Sequence, residues 1–196
     1  MRVLVVHAHP SATSFSRAVC GAAEAGLRDA GHDITVLHLD DEGFRVAMTA
    51  EEHRAYHSPQ PVLDPVVARH SALVREAEAL VFVYPTWWAA PPAILKGWLE
   101  RVMVPGVAFH FDDATNRVRP DLRHVRRLVG ITTYGSGRTY VRVLNDPGRR
   151  TITRALGMLC SRRCRRRWLA LYGMDTNTAE ERGAFLLAVR KRMSRL

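Results

Sequence analysis

The chain has few cysteines, and this shortage excludes two classes of protein. Only Cys20, Cys160 and Cys164 occur among 196 residues, and no CxxC pair is present. An odd number of cysteines without such a pair predicts neither a disulfide framework nor a zinc site, and no metal is expected. Cys160 and Cys164 have the i, i+4 spacing of one helical face, where apolar packing or semi-exposed thiols are expected.

Long hydrophobic runs are also missing, which excludes membrane insertion. No apolar run approaches the roughly 18 residues of a membrane-spanning helix. The first ten residues, MRVLVVHAHP, carry one positive charge and a five-residue apolar core, a pattern that predicts a strand and not a signal peptide. The sequence therefore predicts a cytoplasmic protein, and its length predicts a single domain over residues 1–196.

Lysine is scarce, although the chain is strongly basic. Lys96 and Lys191 are the only lysines, yet 29 basic residues against 19 acidic ones give a net charge of +10. The densest arginine cluster spans residues 162–167. No helix-turn-helix, zinc-finger or RNA-binding aromatic motif accompanies it, so no specific nucleic-acid partner is expected. The charge should instead attract anionic ligands, such as the phosphates of a nucleotide cofactor.

Five short apolar runs alternate with segments of helical periodicity. The predicted strands are residues 2–7, 33–39, 80–84, 126–132 and 168–172. Such alternation predicts an α/β protein with a parallel sheet and right-handed crossovers. Residues 105–121 are predicted to be a loop with a short extended piece, and NDPGRR is predicted to begin a helix that continues to about Cys160.

The segment between residues 79 and 101 is the most informative part of the chain. Pro85 ends a buried strand, Trp87 and Trp88 follow in a loop, and Pro92 is well placed in the first turn of the next helix. Ligands of open α/β sheets bind outside the carboxyl ends of the strands. Two adjacent tryptophans outside any periodic pattern therefore predict a surface that stacks on a flat ring.

Two other loops follow predicted strands and are rich in hydrogen-bonding groups. AHPSATSFS, at residues 8–16, places several hydroxyls at the start of a helix, where they could bind a phosphate or only cap the helix. It is neither a GK[ST] nor a GxGxxG loop. TTYGSGRTY, at residues 132–140, has two glycines, which could let the backbone approach a ligand or only form a turn.

These three loops resemble segments of one known family. YPTWWAAPPAILKGWLERV resembles the flavin-binding segment of the NAD(P)H:quinone oxidoreductase (DT-diaphorase-like) family, AHPSATSFSRA resembles its first phosphate loop, and TTYGSGRTY resembles its TTGGSGxxY loop. The resemblance implies a flavodoxin-like three-layer sandwich with a five-stranded parallel sheet of order 2-1-3-4-5. In that order the three loops converge on one crevice.

The resemblance also implies site residues. Tyr140 is implied as a catalytic phenol, and Asn145 or Asp146 stands near the position of a histidine that partners this tyrosine in some members. Trp88 and Tyr134 are implied to line the substrate pocket, where Tyr134 replaces a small residue. The implied flavin-binding residues are His9, Thr13, Ser14, Phe15, Ser16, Pro85, Thr86, Trp87, Trp88, Ala89, Thr132, Thr133, Tyr134, Gly135, Gly137 and Tyr140.

The implied function is a flavin-dependent NAD(P)H:quinone oxidoreductase. FAD or FMN would be the bound cofactor, with a slight lean towards FAD from the TSF match, and NAD(P)H the electron donor. A quinone or another flat acceptor, including azo or nitro compounds, would be reduced by two-electron ping-pong hydride transfer through flavin N5. A homodimer with the site at the interface is expected. The alternative is a regulatory or ancillary subunit that binds flavin or nucleotide without physiological quinone turnover.

Overall fold

A five-stranded parallel sheet forms the centre of the protein. The computed structural model describes all residues 1–196. The sheet strands are β1 Arg2–His7, β2 Asp33–His38, β3 Ala79–Thr86, β6 Arg127–Tyr134 and β7 Arg165–Tyr172. Their spatial order is β2-β1-β3-β6-β7, which is the predicted 2-1-3-4-5 order once a separate hairpin is left out of the numbering. The predicted fold class is therefore confirmed.

Helices cover both faces of this sheet. They are α1 Phe15–Asp29, α2 Ala50–Ala55, α3 Pro65–Glu76, α4 Ala93–Val102, α5 Arg138–Val143, α6 Pro147–Arg150, α7 Gly157–Leu159 and α8 Ala179–Met193. Alternate strand residues point to opposite faces. Val3 and Val81 pack with apolar residues of α1 and α8, whereas Leu4 and Phe82 pack with apolar residues of α3 and α4. Two cores on either side of one sheet make the three-layer sandwich. No helix is long and apolar enough to cross a membrane.

Three expectations about the chain outside the sheet were wrong. Residues 105–121 contain an antiparallel hairpin, β4 Phe109–Phe111 with β5 Val118–Pro120. The segment after NDPGRR is α6, a π-helical stretch at Thr151–Leu156 and α7. Cys160 ends α7 in an extended conformation, so Cys160 and Cys164 share no helical face. A π-helical stretch inserts residues that a regular 3.6-residue period does not predict.

Gly97 explains the glycine of the PAILKGW stretch. It lies in α4, where a side chain at this position would place its Cβ 2.2 Å from the carbonyl oxygen of Val46. Only glycine allows the segment before α2 to cross α4 this closely. The crossing holds the segment against the helix that leaves the tryptophan loop.

A buried ion-pair network fastens the same region. The guanidinium of Arg101, in α4, is almost fully buried and donates hydrogen bonds to Glu52, to Asp64 at 2.7 Å and to the carbonyl oxygen of Arg45 at 2.6 Å. It also lies 5.0 Å above the ring of Phe44. Because each partner comes from a different segment, α4 is tied to the start of α3 and to both ends of the segment before α2.

Candidate functional site

A cleft of about 910 Å³ lies at the carboxyl edge of the sheet. Loops that follow β1, β3, β6 and β7 form its walls. The lining residues are His9, Phe15, Ser16, Pro85, Thr86, Trp87, Trp88, Ala89, Thr133, Tyr134, Gly135, Ser136, Tyr140, Val141, Leu144, Asp146, Met174 and Asp175. The three loops that the sequence singled out therefore do meet, because they leave neighbouring parallel strands in the same direction.

The first loop presents the N-terminus of α1 to the cleft. Ser14 caps the helix by accepting a hydrogen bond from the backbone N–H of Arg17 at 3.1 Å. The N–H groups of Phe15 and Ser16 have no acceptor among the backbone hydrogen bonds of the chain. Unpaired N–H groups and the helix dipole together favour an anion at this position.

Two histidines lie behind this helix N-terminus. The hydroxyl of Ser16 is 3.3 Å from Nε2 of His7, and Nδ1 of His7 is 3.1 Å from Nδ1 of His38. Burial, reinforced by the neighbouring His38 and Arg17, lowers the pKa of His7 to about 3. His7 is therefore neutral near pH 7 and bonds to Ser16 as an uncharged imidazole.

The second loop holds the tryptophans in a strained turn. Trp87 and Ala90 exchange backbone hydrogen bonds at 3.1 and 3.0 Å. Trp88 and Ala89 between them have φ values of 50° and 58°, in the left-handed region that non-glycine residues seldom adopt. The Trp88 side chain is fully exposed at the cleft. Strain of this kind is typical of binding sites whose surroundings enforce an unusual backbone.

The third loop lines the opposite wall with backbone donors. Gly135, Ser136 and Gly137 have N–H groups without an acceptor among the chain's backbone hydrogen bonds. The carbonyls of Tyr134 and Ser136 accept from Met174 and Gly173 at 2.9 and 3.1 Å. The segment after β7 thus holds the glycine loop in place and leaves its N–H groups free for a ligand.

Tyr134 contributes to the wall but its ring is turned inward. The ring is buried and stacks on Tyr172, with centroids 4.9 Å apart and an angle of 5° between the planes. Its hydroxyl donates to Asp146 at 2.8 Å. Burial, with the hydrogen bond to Asp146 and that group's charge, raises the pKa of Tyr134. The substitution of a small residue by Tyr134 therefore fills space beneath the loop.

Most of the sequence-predicted residues come together, and a few lie just outside. Tyr140 and Asp146 both line the cleft, but the hydrogen bond to Asp146 comes from Tyr134. Asn145 lines a neighbouring cavity. Thr132 is buried, with its hydroxyl 2.8 Å from that of Thr86. The other predicted residues that do not line the cleft are Thr13, Ser14 and Gly137.

Five lining residues were not among the predicted binding residues. They are Ser136, Val141, Leu144, Met174 and Asp175. Ser136 lies within the glycine loop and could have been included from its position alone. Met174 and Asp175 follow the last strand of the sheet, and the same carboxyl-edge rule that selected the other loops applies to them. No cluster of three or more potential metal-ligating side chains is present.

Comparison with known proteins identifies relatives of the whole fold. A model of a family described as having the flavodoxin-like fold matches residues 1–181. NAD(P)H dehydrogenase (quinone) 1 of Rattus norvegicus is 32% identical over 158 residues, which cover 71% of this chain and 56% of the rat protein. The chain thus spans little more than half the length of this relative.

Two solved structures superpose over nearly the full length. The NAD(P)H:quinone oxidoreductase of Methanothermobacter marburgensis has a TM-score of 0.81 at 26% identity, covering 99% of this chain and 96% of its own. An FMN-dependent NADH-azoreductase of Bacillus anthracis, solved in complex with FMN, has a TM-score of 0.77 at 17% identity, covering 100% and 99%. The last likeness concerns the fold.

The relatives and the fold agree with the sequence motifs. The resemblance to NAD(P)H:quinone oxidoreductases that the three loops indicated is confirmed by the named relatives. The match of the family model extends from the first strand into the last helix. On this evidence the chain belongs to the flavodoxin-like fold family.

Proposed function

We propose that this protein is a flavin-dependent NAD(P)H:quinone (acceptor) oxidoreductase. The observation that carries the proposal is the convergence of three loops on one cleft, with tryptophans on one wall and unpaired backbone N–H groups on another. Flat aromatic surfaces and fixed donors are what an isoalloxazine ring requires. The rat and archaeal relatives bear the names of quinone oxidoreductases and support this assignment.

The residues present fit a flavin, either FAD or FMN. The free N–H groups of Phe15 and Ser16 would bind its phosphate at the N-terminus of α1. Trp87 and Trp88 would lie beside the ring system, and the N–H groups of the glycine loop would donate to its carbonyl oxygens. When bound, the flavin accepts a hydride from NAD(P)H at N5 and passes two electrons to a quinone in a ping-pong sequence.

Tyr140 is proposed as the proton donor. Its side chain lines the cleft and is 58% exposed, so its hydroxyl can reach a bound acceptor. Asp146 already accepts a hydrogen bond from Tyr134 and another from the N–H of Arg149. We therefore assign Asp146 to positioning of the loop. Asn145 lies away from the cleft, and any catalytic part it has would be indirect.

The proposal includes a homodimer with the site at its interface. Trp88, Tyr140 and Leu144 line the cleft and are exposed apolar or aromatic side chains. Adjacent exposed side chains of this kind are typical of contacts with another protein surface. Sedimentation equilibrium with wild type and Leu144→Asp tests this directly. A monomeric wild type at micromolar concentration would contradict the dimer.

The visible spectrum of the purified protein tests the function. Oxidised flavin absorbance should be present, bleach on anaerobic addition of NADPH or NADH, and return on addition of menadione. Chromatography of the released chromophore distinguishes FAD from FMN. Trp88→Ala should weaken flavin retention, whereas Met158→Ala, an exposed apolar residue outside the cleft, should not.

Two outcomes would overturn the proposal in different ways. A colourless protein that takes up neither FAD nor FMN and oxidises neither nucleotide would exclude a flavoenzyme. Flavin binding without NAD(P)H turnover with menadione, azo dyes or nitro compounds would favour the ancillary, non-catalytic alternative.

A further inference from the structure

A second cavity of about 320 Å³ adjoins the flavin cleft and is lined by five arginines. The arginines are Arg138, Arg142, Arg149, Arg150 and Arg154. The two spaces have Val141 and Asp146 in common, so they share a wall. A ligand that starts in the cleft can therefore continue across this wall into the arginine cavity.

The positive charge of the cavity is not neutralised within the protein. None of the five guanidinium groups forms an ion pair. Asp146 is the only acid in the lining. Its two carboxylate oxygens accept from the Tyr134 hydroxyl and from the backbone N–H of Arg149. No carboxylate therefore compensates the guanidinium groups.

The helices that carry the arginines gain nothing from them in isolation. Arg138 and Arg142 are four residues apart in α5, and Arg150 and Arg154 are four residues apart across α6 and the π-helical stretch. Like charges at this spacing repel and destabilise a helix. Two such pairs that face one cavity indicate a polyanionic ligand whose charge offsets the repulsion.

We propose that the arginine cavity binds the 2′-phosphate of NADPH and makes NADPH the preferred electron donor. The inference rests on the proposed function, since it requires the nicotinamide to reach the flavin cleft. NADPH and NADH differ only in this 2′-phosphate, a monoester with a charge of about −1.5 to −2 at pH 7. Guanidinium groups bind phosphates through paired, charge-assisted hydrogen bonds, and arginine accommodates the 2′-phosphate in other dinucleotide sites.

The test compares two charge-matched double variants. Arg149→Gln with Arg150→Gln removes two charges from the cavity. Arg162→Gln with Arg163→Gln removes two exposed charges just before β7, at the amino edge of the sheet and therefore at the opposite end from the cleft. We expect KM for NADPH with menadione to rise about tenfold or more in the cavity variant, because charge-assisted hydrogen bonds are lost. KM for NADH should change less than about twofold by the same reasoning.

Binding without turnover provides an independent measurement. Adenosine 2′,5′-bisphosphate should bind the wild type more tightly than AMP in calorimetry, and its affinity should fall in the cavity variant and with rising salt. The control variant should bind like wild type. Arg138→Gln with Arg142→Gln, on the other helix of the cavity, should reproduce the loss if Arg149 and Arg150 prove necessary for folding.

The outcomes separate this inference from the proposed function. Equal KM values for both nucleotides in wild type, or equal losses for NADPH and NADH in the cavity variant, overturn the 2′-phosphate site while the enzyme assignment stands. Equal losses in the control variant assign the effect to net charge and also overturn it. Bisphosphate binding that depends on Arg149 and Arg150, in a protein that never turns over, keeps the site and removes the function.

Discussion

The hydroxyl of Tyr134 donates a hydrogen bond to Asp146 at 2.8 Å, and this bond links the glycine loop to the start of α6. Asp146 has a φ of 40° and caps α6 by accepting from the N–H of Arg149 at 3.1 Å. One carboxylate therefore fixes both ends of the segment that carries Tyr140. The geometry of the proposed proton donor depends on this contact.

Removal of the carboxylate should destabilise the protein more than removal of the phenol. Asp146→Ala leaves a buried hydroxyl and a helix N–H unpaired, which costs about 1–3 kcal/mol, whereas Tyr134→Phe loses one hydrogen bond, about 0.5–1.5 kcal/mol. Urea unfolding followed by circular dichroism measures both. Equal free energies of unfolding for Asp146→Ala and wild type would contradict the structural role.

Tyr140→Phe should separate catalysis from stability. The Tyr140 side chain is exposed and its hydroxyl forms no hydrogen bond within the protein, so the free energy of unfolding should not change. The loss of a proton donor should lower kcat about 10²-fold or more. Stopped-flow reduction and reoxidation of the flavin identify the half-reaction affected. An unchanged kcat would show that another group supplies the proton.

The sheet and its loops were predictable because their signals are local. Buried parallel strands read as apolar runs, as Leu80–Tyr84 does, and their order followed from the loop motifs. The helix Arg138–Val143 was assigned to a loop because its sequence, RTYVRV, alternates β-branched and charged residues. Its formation depends on the Gly137 cap and on burial of Val141, which are tertiary effects.

The arginine cavity was not predictable as a site for the same reason. The sequence drew attention to residues 162–167, where arginines are consecutive. The cavity collects its charges from two helices separated by a left-handed turn at Asn145 and Asp146. Such turns reorient helices without a periodic signal, so the convergence of Arg142 with Arg150 appears only in three dimensions.

Ala89→Gly should relieve strain in the tryptophan loop. Ala89 has a φ of 58°, and this conformation costs a non-glycine residue about 1–2 kcal/mol. Glycine also makes the unfolded chain more flexible, which offsets about 0.4–1 kcal/mol. We expect a net gain of up to about 1 kcal/mol in unfolding free energy, with weaker flavin binding because the loop is less rigid.

Ala90→Gly is the matched control for this variant. Ala90 has no positive φ, so glycine there brings only the entropic loss of about 0.5–1 kcal/mol. The two variants should therefore shift the urea midpoint in opposite directions. A destabilised Ala89→Gly would show that the Cβ of Ala89 makes contacts that outweigh the strain.

The Arg101 network should make stability depend on acid pH. Burial opposes ionisation of Asp64, but hydrogen bonds from Arg101 outweigh it and lower the pKa from 3.8 to about 2. A carboxyl with a depressed pKa in the folded state stabilises it above pH 3.8, and this stabilisation is lost as pH falls towards 2. Asp64→Asn should flatten the decline in unfolding free energy over this window. Asp113→Asn, an exposed carboxyl without an ion pair, should leave it unchanged.

His7 should produce a separate loss of stability at higher pH. Its pKa is lowered from 6.5 to about 3 in the folded state, so the unfolded chain binds a proton between these values and the folded chain does not. Stability from this group is complete above pH 6.5 and declines as pH falls, by at most about 1.4 kcal/mol per pH unit. His7→Asn should reduce the slope of unfolding free energy between pH 6.5 and 4.5, where most carboxyls remain ionised. His53→Gln, an exposed histidine, is the control. An unchanged slope in His7→Asn would mean that His7 carries a proton in the folded state, and its hydrogen bonds to Ser16 and His38 would then have to be those of a cation.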